Sequence, residues 1–172
     1  NDPKYFGGNI PWIQTGDIVN SNGEIDNYTH TLNQEGLKVS RLFPRTTIVI
    51  TIAANIGDLA ILKINAAFPD SIVGIIADNT IVSNKFLYYG MLLKKEYLNS
   101  QSTQAAQKNI NIKILSDLDI SIPDMKKQKE IVEKLDAIQD YKKLLLKQKS
   151  LFKELFDSVL YKSMNGEMDL GV

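Results

Sequence analysis

The side chains best suited to chemistry form a polar stretch in the second half of the chain, residues 101–109. It reads Gln-Ser-Thr-Gln-Ala-Ala-Gln-Lys-Asn and offers amides, hydroxyls and one ammonium group. Glutamine and asparagine can pair with adenine through two hydrogen bonds, and lysine can reach guanine acceptors or phosphate. This set of side chains suits base recognition in the DNA major groove, although composition alone also fits an ordinary solvated loop.

Signatures of catalysis are absent from the sequence. The chain has no cysteine and a single histidine, His30, which excludes thiolate metal sites and sites that need two imidazoles. Gly7-Gly8 lacks the lysine and helix signature of a phosphate-binding loop. Asp124 and Asp140 are spaced roughly four turns apart on one predicted helix, so they cannot converge on one cation. We therefore predict a non-catalytic protein with no metal site.

The charge balance argues against binding nucleic acid by net positive potential alone. Twenty basic side chains match twenty acidic ones, and the formal net charge is zero. The visible basic cluster runs from Lys126 to Lys149, where eight lysines face four acids. A DNA reader of this composition must rely on local clusters or on partner subunits, so we expect the isolated chain to bind weakly.

The composition changes at Pro123, which predicts two domains, 1–122 and 123–172. The pattern of residues 1–122 predicts an α+β fold, which is a globular mixed α/β domain with a twisted sheet of short strands. A buried strand over 46–53 returns through a turn at 55–58 as a second strand over 59–64. Ser83 can cap a helix over 84–98. A short strand and a turn are predicted within 10–19, and further strands at 72–77, 79–82 and 119–122.

The second domain predicts one long C-terminal coiled-coil helix. Asp124 can cap its start and Gly166 can end it. A helix of about 40 residues extends roughly 60 Å, which is too long to lie wholly on its own globular domain. A strict seven-residue apolar repeat from Ile131 to Val159 indicates a left-handed coiled coil. Leu135 and Phe156 add intermediate positions, a second row that Lys142 and Lys149 interrupt. The alternative is an amphipathic helix folded back on the domain. The predicted interface consists of Ile131, Leu135, Ile138, Leu145, Phe152, Phe156 and Val159.

The order of these motifs resembles that of specificity subunits of type I restriction-modification systems. The most telling stretch runs from 107–110 through 118–123 to Gln128. A polar loop, a closing strand that ends in proline and a glutamine-containing helix start follow one another there. Supporting matches lie at 8–13, 17–18, 55–57, 85–89, 131–136 and 160–168. The resemblance covers essentially the whole chain.

The resemblance implies a target recognition domain over 1–122 and a conserved spacer helix over 123–172. Family members usually carry two of each, and paired antiparallel helices separate two recognition domains that read the halves of an interrupted site. The implied partners are double-stranded DNA, methyltransferase (modification) subunits and a restriction or motor subunit. S-adenosylmethionine, Mg²⁺ and ATP are expected on those partners, and no cofactor is expected on this chain.

One recognition domain and one spacer make this chain a half-length member, a fragment or the second half of a longer subunit. We predict a homodimer, or pairing with a second half-subunit, through the helix. The competing interpretation is a structural adaptor whose coiled coil clusters a head that does not bind DNA. No apolar run approaches the roughly 18 residues needed to span a bilayer, and no signal-peptide pattern opens the sequence, so we expect a cytoplasmic protein without membrane contact.

Two sets of residues are the candidates for DNA contact. The first comprises Thr103, Gln104, Gln107, Lys108 and Asn109. The second comprises Gln14, Thr15, Asn20, Asn22 and Lys85. For each, the alternative is an ordinary solvated residue.

Replacing Gln104 or Asn109 by alanine is expected to relax base preference and to leave the stability of the fold unchanged. The reason is that base-edge hydrogen bonds specify sequence, whereas an exposed loop amide adds little to folding. Selection of bound sequences, with the methyltransferase partner present, measures the preference. An unchanged preference would remove this loop from the recognition surface.

Overall fold

The computed structural model describes residues 2–53, 55–103 and 110–166, without the side chains of residues 102 and 103. The chain divides into two units, residues 1–129 and 130–172. The strands are β1 Phe6–Trp12, β2 Glu24–Ile25, β3 His30–Leu32, β4 Ile48–Thr51, β5 Leu59–Leu62 and β6 Ile72–Ile75. The helices are α1 Thr15–Asn20, α2 Gln34–Lys38, α3 Asn84–Leu92, α4 Lys95–Thr103, α5 Ile112–Ser116 and α6 Met125–Met164. Within these described residues, no helix is long and apolar enough to cross a bilayer.

The first unit is built on a four-stranded mixed sheet in the order β2-β5-β4-β6. Strands β4 and β5 pair antiparallel, as the predicted hairpin requires, and β6 pairs antiparallel with the other edge of β4. Strand β2 is parallel to β5. A second, two-stranded sheet pairs β1 with β3. The prediction of an α+β domain with short strands followed by a long helix is confirmed.

Side chains alternate between the two faces of the four-stranded sheet, and along β4 and β5 both faces are buried. Ile48 and Ile50 of β4 pack on one face with Met91, Leu98 and other residues of helices α3 to α5. Val49 points to the opposite face, where it belongs to a cluster that contains residues of α1 and the segment before β6. The sheet therefore holds α1 on one side and α3 to α5 on the other.

Three local predictions were wrong. The turn expected within 10–19 is helix α1, where Asp17 accepts from the backbone N–H of Gln14 at 2.8 Å. The strand expected at 79–82 is a turn, in which Asp78 accepts from the backbone N–H of Thr80 at 3.0 Å. The strand expected at 119–122 does not form, and these residues have no regular secondary structure. Helix α5 precedes them, and its first turn is capped by Asn111, which accepts from the N–H of Ile114 at 3.0 Å.

The helix predicted over 84–98 is two helices. Helix α3 begins after Ser83, whose hydroxyl accepts from the N–H of Phe86 at 3.3 Å, as expected. It ends at Leu92, and α4 starts at Lys95, whose ammonium lies 2.6 Å from Asp58 in the hairpin turn. The ion pair ties the break between the helices to the sheet.

The start of α6 is held by one buried glutamine. Gln128 has no exposed surface. Its Oε1 accepts from the N–H of Ser83 at 2.8 Å, and its Nε2 donates to the carbonyls of Ile81 and Pro123 at 3.0 and 2.9 Å. The amide thus uses three of its hydrogen-bonding positions to join the start of α6 to the segment before α3.

The described part of the second unit is the rest of α6. Apolar side chains of the predicted interface are strongly exposed there: Ile138 by 63%, Phe152 by 71% and Phe156 by 66%. Leu145 and Val159 are exposed by 46% and 39%. Gly166, with a φ of 69°, lies just beyond the end of the helix, as expected for a glycine stop.

Candidate nucleic-acid interface

Four predicted DNA-contact residues lie on α1 or beside it: Gln14, Thr15, Asn20 and Asn22. Ile18 is 2% exposed and anchors this short helix in the core. Asn20 and Asn22 are exposed, whereas Gln14 and Thr15 are half-buried. Asn22 has a φ of 52°, in the left-handed region that asparagine adopts more readily than most residues. The end of α1 therefore carries two neighbouring exposed amides.

Asn20 and Asn22 border an open cavity of about 350 Å³ whose walls include three carboxylates, Asp17, Glu24 and Asp26. Glu24 is paired with Lys63 at 2.9 Å. Carboxylates repel phosphate, but they can accept hydrogen bonds from the exocyclic amino group of cytosine. The cavity is therefore better suited to base edges than to the DNA backbone. In the described part of the chain, no three His, Asp or Glu side chains are grouped closely enough to hold a metal ion.

The turn after α1 lies against helix α3. A Cβ added to Gly23, which has a φ of 93°, would lie 2.4 Å from the phenol oxygen of Tyr88. Burial, and then the negative charge of Glu24, raise the pKa of Tyr88 above its usual value, so its phenol stays neutral beside the carboxylate. The half-buried Lys85 lies one turn before Tyr88 on the same helix.

The first-ranked candidates belong to a different segment. Thr103 is the last residue of α4. Outside the described residues lie Gln104, Gln107, Lys108 and Asn109. The segment is fixed on both sides: Leu98 of α4 is fully buried, and Ile110 is 2% exposed. The N–H of Ile110 also donates to the carbonyl of Ile52 at 3.0 Å. Ile110, the residue after the polar stretch, is thus hydrogen-bonded next to the end of β4.

Strand β5 lies between the α1 turn and the start of α4. At one end, the carbonyl of Gly23 accepts from the N–H of Ile61 at 2.9 Å, which places the α1 turn there. At the other end, Asp58 binds Lys95 of α4. Three residues of extended chain between Asp58 and Ile61 correspond to about 10 Å. The α1 turn, which carries Asn20 and Asn22, and the start of α4 therefore lie at opposite ends of β5.

The acidic wall of the cavity was not predicted from the sequence. Asp17 holds the first turn of α1 and also accepts from Thr29 Oγ1 at 3.5 Å, which links α1 to the segment before β3. The available signal was an acidic residue three positions after Gln14, a spacing typical of a helix start. Asp26 carried no such signal, because only the folded chain places it beside α1.

Comparison with known proteins gives one consistent result. The family model described as type I restriction modification DNA specificity domain matches residues 1–151. The type I restriction enzyme MjaIX specificity subunit of Methanocaldococcus jannaschii is 30% identical over 145 residues. That match covers 80% of this chain and 33% of the archaeal protein. The chain thus spans about a third of the length of this curated relative.

The fold is similar to solved structures of the same type of protein. One comes from a study of complex assembly and conformational transition of the type I R-M system, with a TM-score of 0.67 and 18% identity. It matches 98% of this chain and 42% of the solved chain. The HsdS subunit of Thermoanaerobacter tengcongensis matches with a TM-score of 0.65 and 17% identity, over 98% of this chain and 41% of that one.

Proposed function

Because the chain belongs to the family of type I restriction-modification DNA specificity domains, we propose that it is a sequence-recognition module of a type I restriction-modification complex. It directs methyltransferase and restriction subunits to an interrupted DNA site and does no chemistry itself. One observation carries the proposal: the family match extends over residues 1–151 and so includes the first unit and more than half of α6. Methylation and cleavage, with S-adenosylmethionine, Mg²⁺ and ATP, belong to the other subunits, and the complex acts in the cytoplasm.

The first unit recognises bases through the α1 turn and through the polar stretch 101–109. At one end of β5, Asn20 and Asn22 offer amides beside the carboxylates of the cavity. The polar stretch that follows Thr103 adds further amides. Amides suit adenine, and carboxylates suit cytosine amino groups, so this arrangement supports direct contact with base edges.

Helix α6 pairs with a second helix, either in another copy of this chain or in a second half-subunit. The exposed row that contains Ile138, Leu145 and Phe152 supports this, because burying large apolar side chains drives coiled-coil association. Ile131 and Leu135 continue the row toward the first unit and are half-buried.

Two lysines at the intermediate positions, between Leu135 and Phe156, favour an antiparallel pair. In a parallel homodimer, Lys142 would face its own copy, and so would Lys149. In an antiparallel register that places Lys142 opposite Leu145, Lys149 lies opposite Ile138, so each ammonium meets an apolar side chain. The same register places Leu135 opposite Phe152. Charge repulsion therefore disfavours the parallel arrangement.

A second apolar row on α6 supports docking of another subunit. Leu144, Leu151 and Leu155 are exposed by 51%, 54% and 60%. Successive residues on a helix are rotated by about 100°, so Leu144 and Leu151 lie on a different side from Leu145 and Phe152. One partner helix cannot cover both rows, and we assign the second row to a helix of the methyltransferase subunit.

Duplex DNA of mixed sequence is expected to bind the whole chain with an affinity that falls steeply with salt. Each phosphate contact contributes about −0.9 to the slope of log affinity against log salt concentration. Fluorescence anisotropy from about 50 to 200 mM salt measures this slope. A flat slope, or no binding at the lowest salt, would instead favour the structural adaptor with a head that does not bind DNA.

A further inference from the structure

We propose that Arg41 and Arg45 bind the phosphate backbone of duplex DNA beside the base-recognition surface. The proposal rests on the proposed function and adds a contact that the initial sequence candidates did not include. Both side chains belong to the segment 39–46, called here the arginine loop. They are the chain's two arginines among twenty basic side chains, and both are exposed.

The arginines differ from the nearby lysines in their charge partners. Lys4, Lys38 and Lys63 are paired with carboxylates at 2.9, 2.5 and 2.9 Å. Neither arginine has a carboxylate partner within the described ranges 2–53, 55–103 and 110–166. The positive charge of the arginine loop is therefore available to an external anion, whereas that of the three lysines is already neutralised.

Arg41 is held over an aromatic platform. Its guanidinium lies 5.0 Å from the ring centroid of Phe43. Phe43 stacks on Phe68 with 4.2 Å between centroids, and its backbone exchanges two hydrogen bonds with Ala66, at 2.8 and 3.1 Å. Contact through the ring face leaves the N–H edge of a guanidinium free for phosphate oxygens. The stack thus restricts the side chain in advance of binding.

The backbone at Arg45 and Thr46 is fixed by hydrogen bonds and is strained at Thr46. Its N–H donates to Asn65 Oδ1 at 2.8 Å. The next residue, Thr46, has a φ of 77°, which is unusual for a β-branched residue. Thr46 is held by its N–H, which donates to the carbonyl of Leu62 at 2.7 Å, and by its carbonyl, which accepts from Asn84 Nδ2. Such strain persists where the surroundings fix the backbone, and it is concentrated at functional sites.

The contacts of Thr46 place the arginine loop next to the first group of candidates. Leu62 ends β5 at the end where β2 and the α1 turn are attached, and Asn84 precedes Lys85 at the start of α3. The cavity at this end of β5 carries three carboxylates. Because the carboxylates of the cavity repel phosphate, a DNA strand that approaches them needs cations nearby. Arginine is suited to this, since it binds phosphate through two parallel hydrogen bonds.

The test compares Arg41→Gln, Arg45→Gln and the double variant with wild type in anisotropy titrations of mixed-sequence duplex DNA at several salt concentrations. Each single variant should lose roughly tenfold in affinity. The double variant should reduce the magnitude of the log-log salt slope by about 2. Lys38→Gln is the matched control, since it removes an exposed cation that Glu35 already neutralises. It should change the slope by less than about 0.5.

Base preference provides a second readout, because phosphate contacts carry no sequence information. Selected sequences should be the same for wild type and both single variants. An altered preference would assign the arginines to base recognition and overturn the phosphate contact. The double variant Arg41→Lys with Arg45→Lys controls for misfolding of the glutamine variants. It should keep the salt slope and lose at most roughly threefold in affinity. A loss of slope as large as that of the double glutamine variant would contradict the proposal, because lysine keeps the positive charge.

Failure of this proposal is distinguishable from failure of the proposed function. If wild type binds DNA and the double variant keeps both its affinity and its slope, the arginine loop is not a contact, while the module remains a DNA reader. If wild type binds no duplex at low salt, both proposals are lost together.

Discussion

Gln128→Glu should destabilise the first unit by about 3 kcal/mol or more, the largest effect on folding that we expect from a single isosteric change. The carboxylate would keep the contact with the N–H of Ser83. It would also place a negative oxygen against the carbonyls of Ile81 and Pro123, which now accept from Nε2 at 3.0 and 2.9 Å. The site has no exposed surface, so water cannot relieve the repulsion.

Thermal unfolding followed by circular dichroism measures this effect, and a fall in Tm of roughly 10 °C is expected. Gln148→Glu is the matched control, since Gln148 is an exposed glutamine on the same helix. The fall in Tm caused by Gln128→Glu should be smaller at pH 5 than at pH 7, because a protonated carboxyl can donate to one of the two carbonyls. Equal Tm values for the two variants would show that the buried amide does not secure the start of α6.

Phe152→Ala should weaken self-association of the chain by roughly a thousandfold. Phe152 is 71% exposed in a single chain. Truncating a ring that becomes buried costs roughly 2 kcal/mol, and a symmetric pair loses this twice, which amounts to about 4 kcal/mol. Alanine favours helix, so α6 itself should persist. Sedimentation equilibrium over micromolar to millimolar concentrations measures the dissociation constant.

Tyr161→Ala provides the matched control for this substitution. Tyr161 is exposed by 64% and is equally aromatic. It lies two residues beyond Val159, and so on the side of the helix away from the seven-residue row. It should leave association unchanged within about threefold. The antiparallel pairing is contradicted if both alanine variants associate like wild type, or if wild type is monomeric at tens of micromolar.

The elements that were predicted correctly are those with a long or regular pattern. The β4–β5 hairpin followed from two apolar runs around a turn, and α6 from a seven-residue period between Asp124 and Gly166. Helices α1 and α5 have six and five residues, too few for a periodic signal, and their existence depends on the caps formed by Asp17 and Asn111. Short helices of this kind are decided by single capping side chains rather than by a periodic pattern.

The candidate site was predicted less completely than the fold. Asn20, Asn22 and Lys85 were named from residue type, yet their common location at one end of β5 depends on contacts of Gly23 and Thr46 that no spacing reveals. Gln128 stood out only as part of a family motif. Two of its hydrogen-bonding partners, Ser83 and Ile81, lie 45 and 47 residues before it, so no local spacing reveals the contact. The arginine loop did carry a sequence signal, namely two arginines within five residues of a chain otherwise rich in lysine.

For a DNA-reading module as proposed, the length of β5 limits the span of its contacts. The α1 turn with Asn20 and Asn22 lies at one end of this four-residue strand, and the start of α4, which leads to Thr103, lies at the other. Base pairs in B-DNA are stacked about 3.4 Å apart, so a separation of about 10 Å spans roughly three of them. One domain of this size can contact only a few consecutive base pairs, which is too short a sequence to be rare in a genome. We expect the remaining specificity to come from a second recognition domain, at a distance that the length of the proposed helix pair would set.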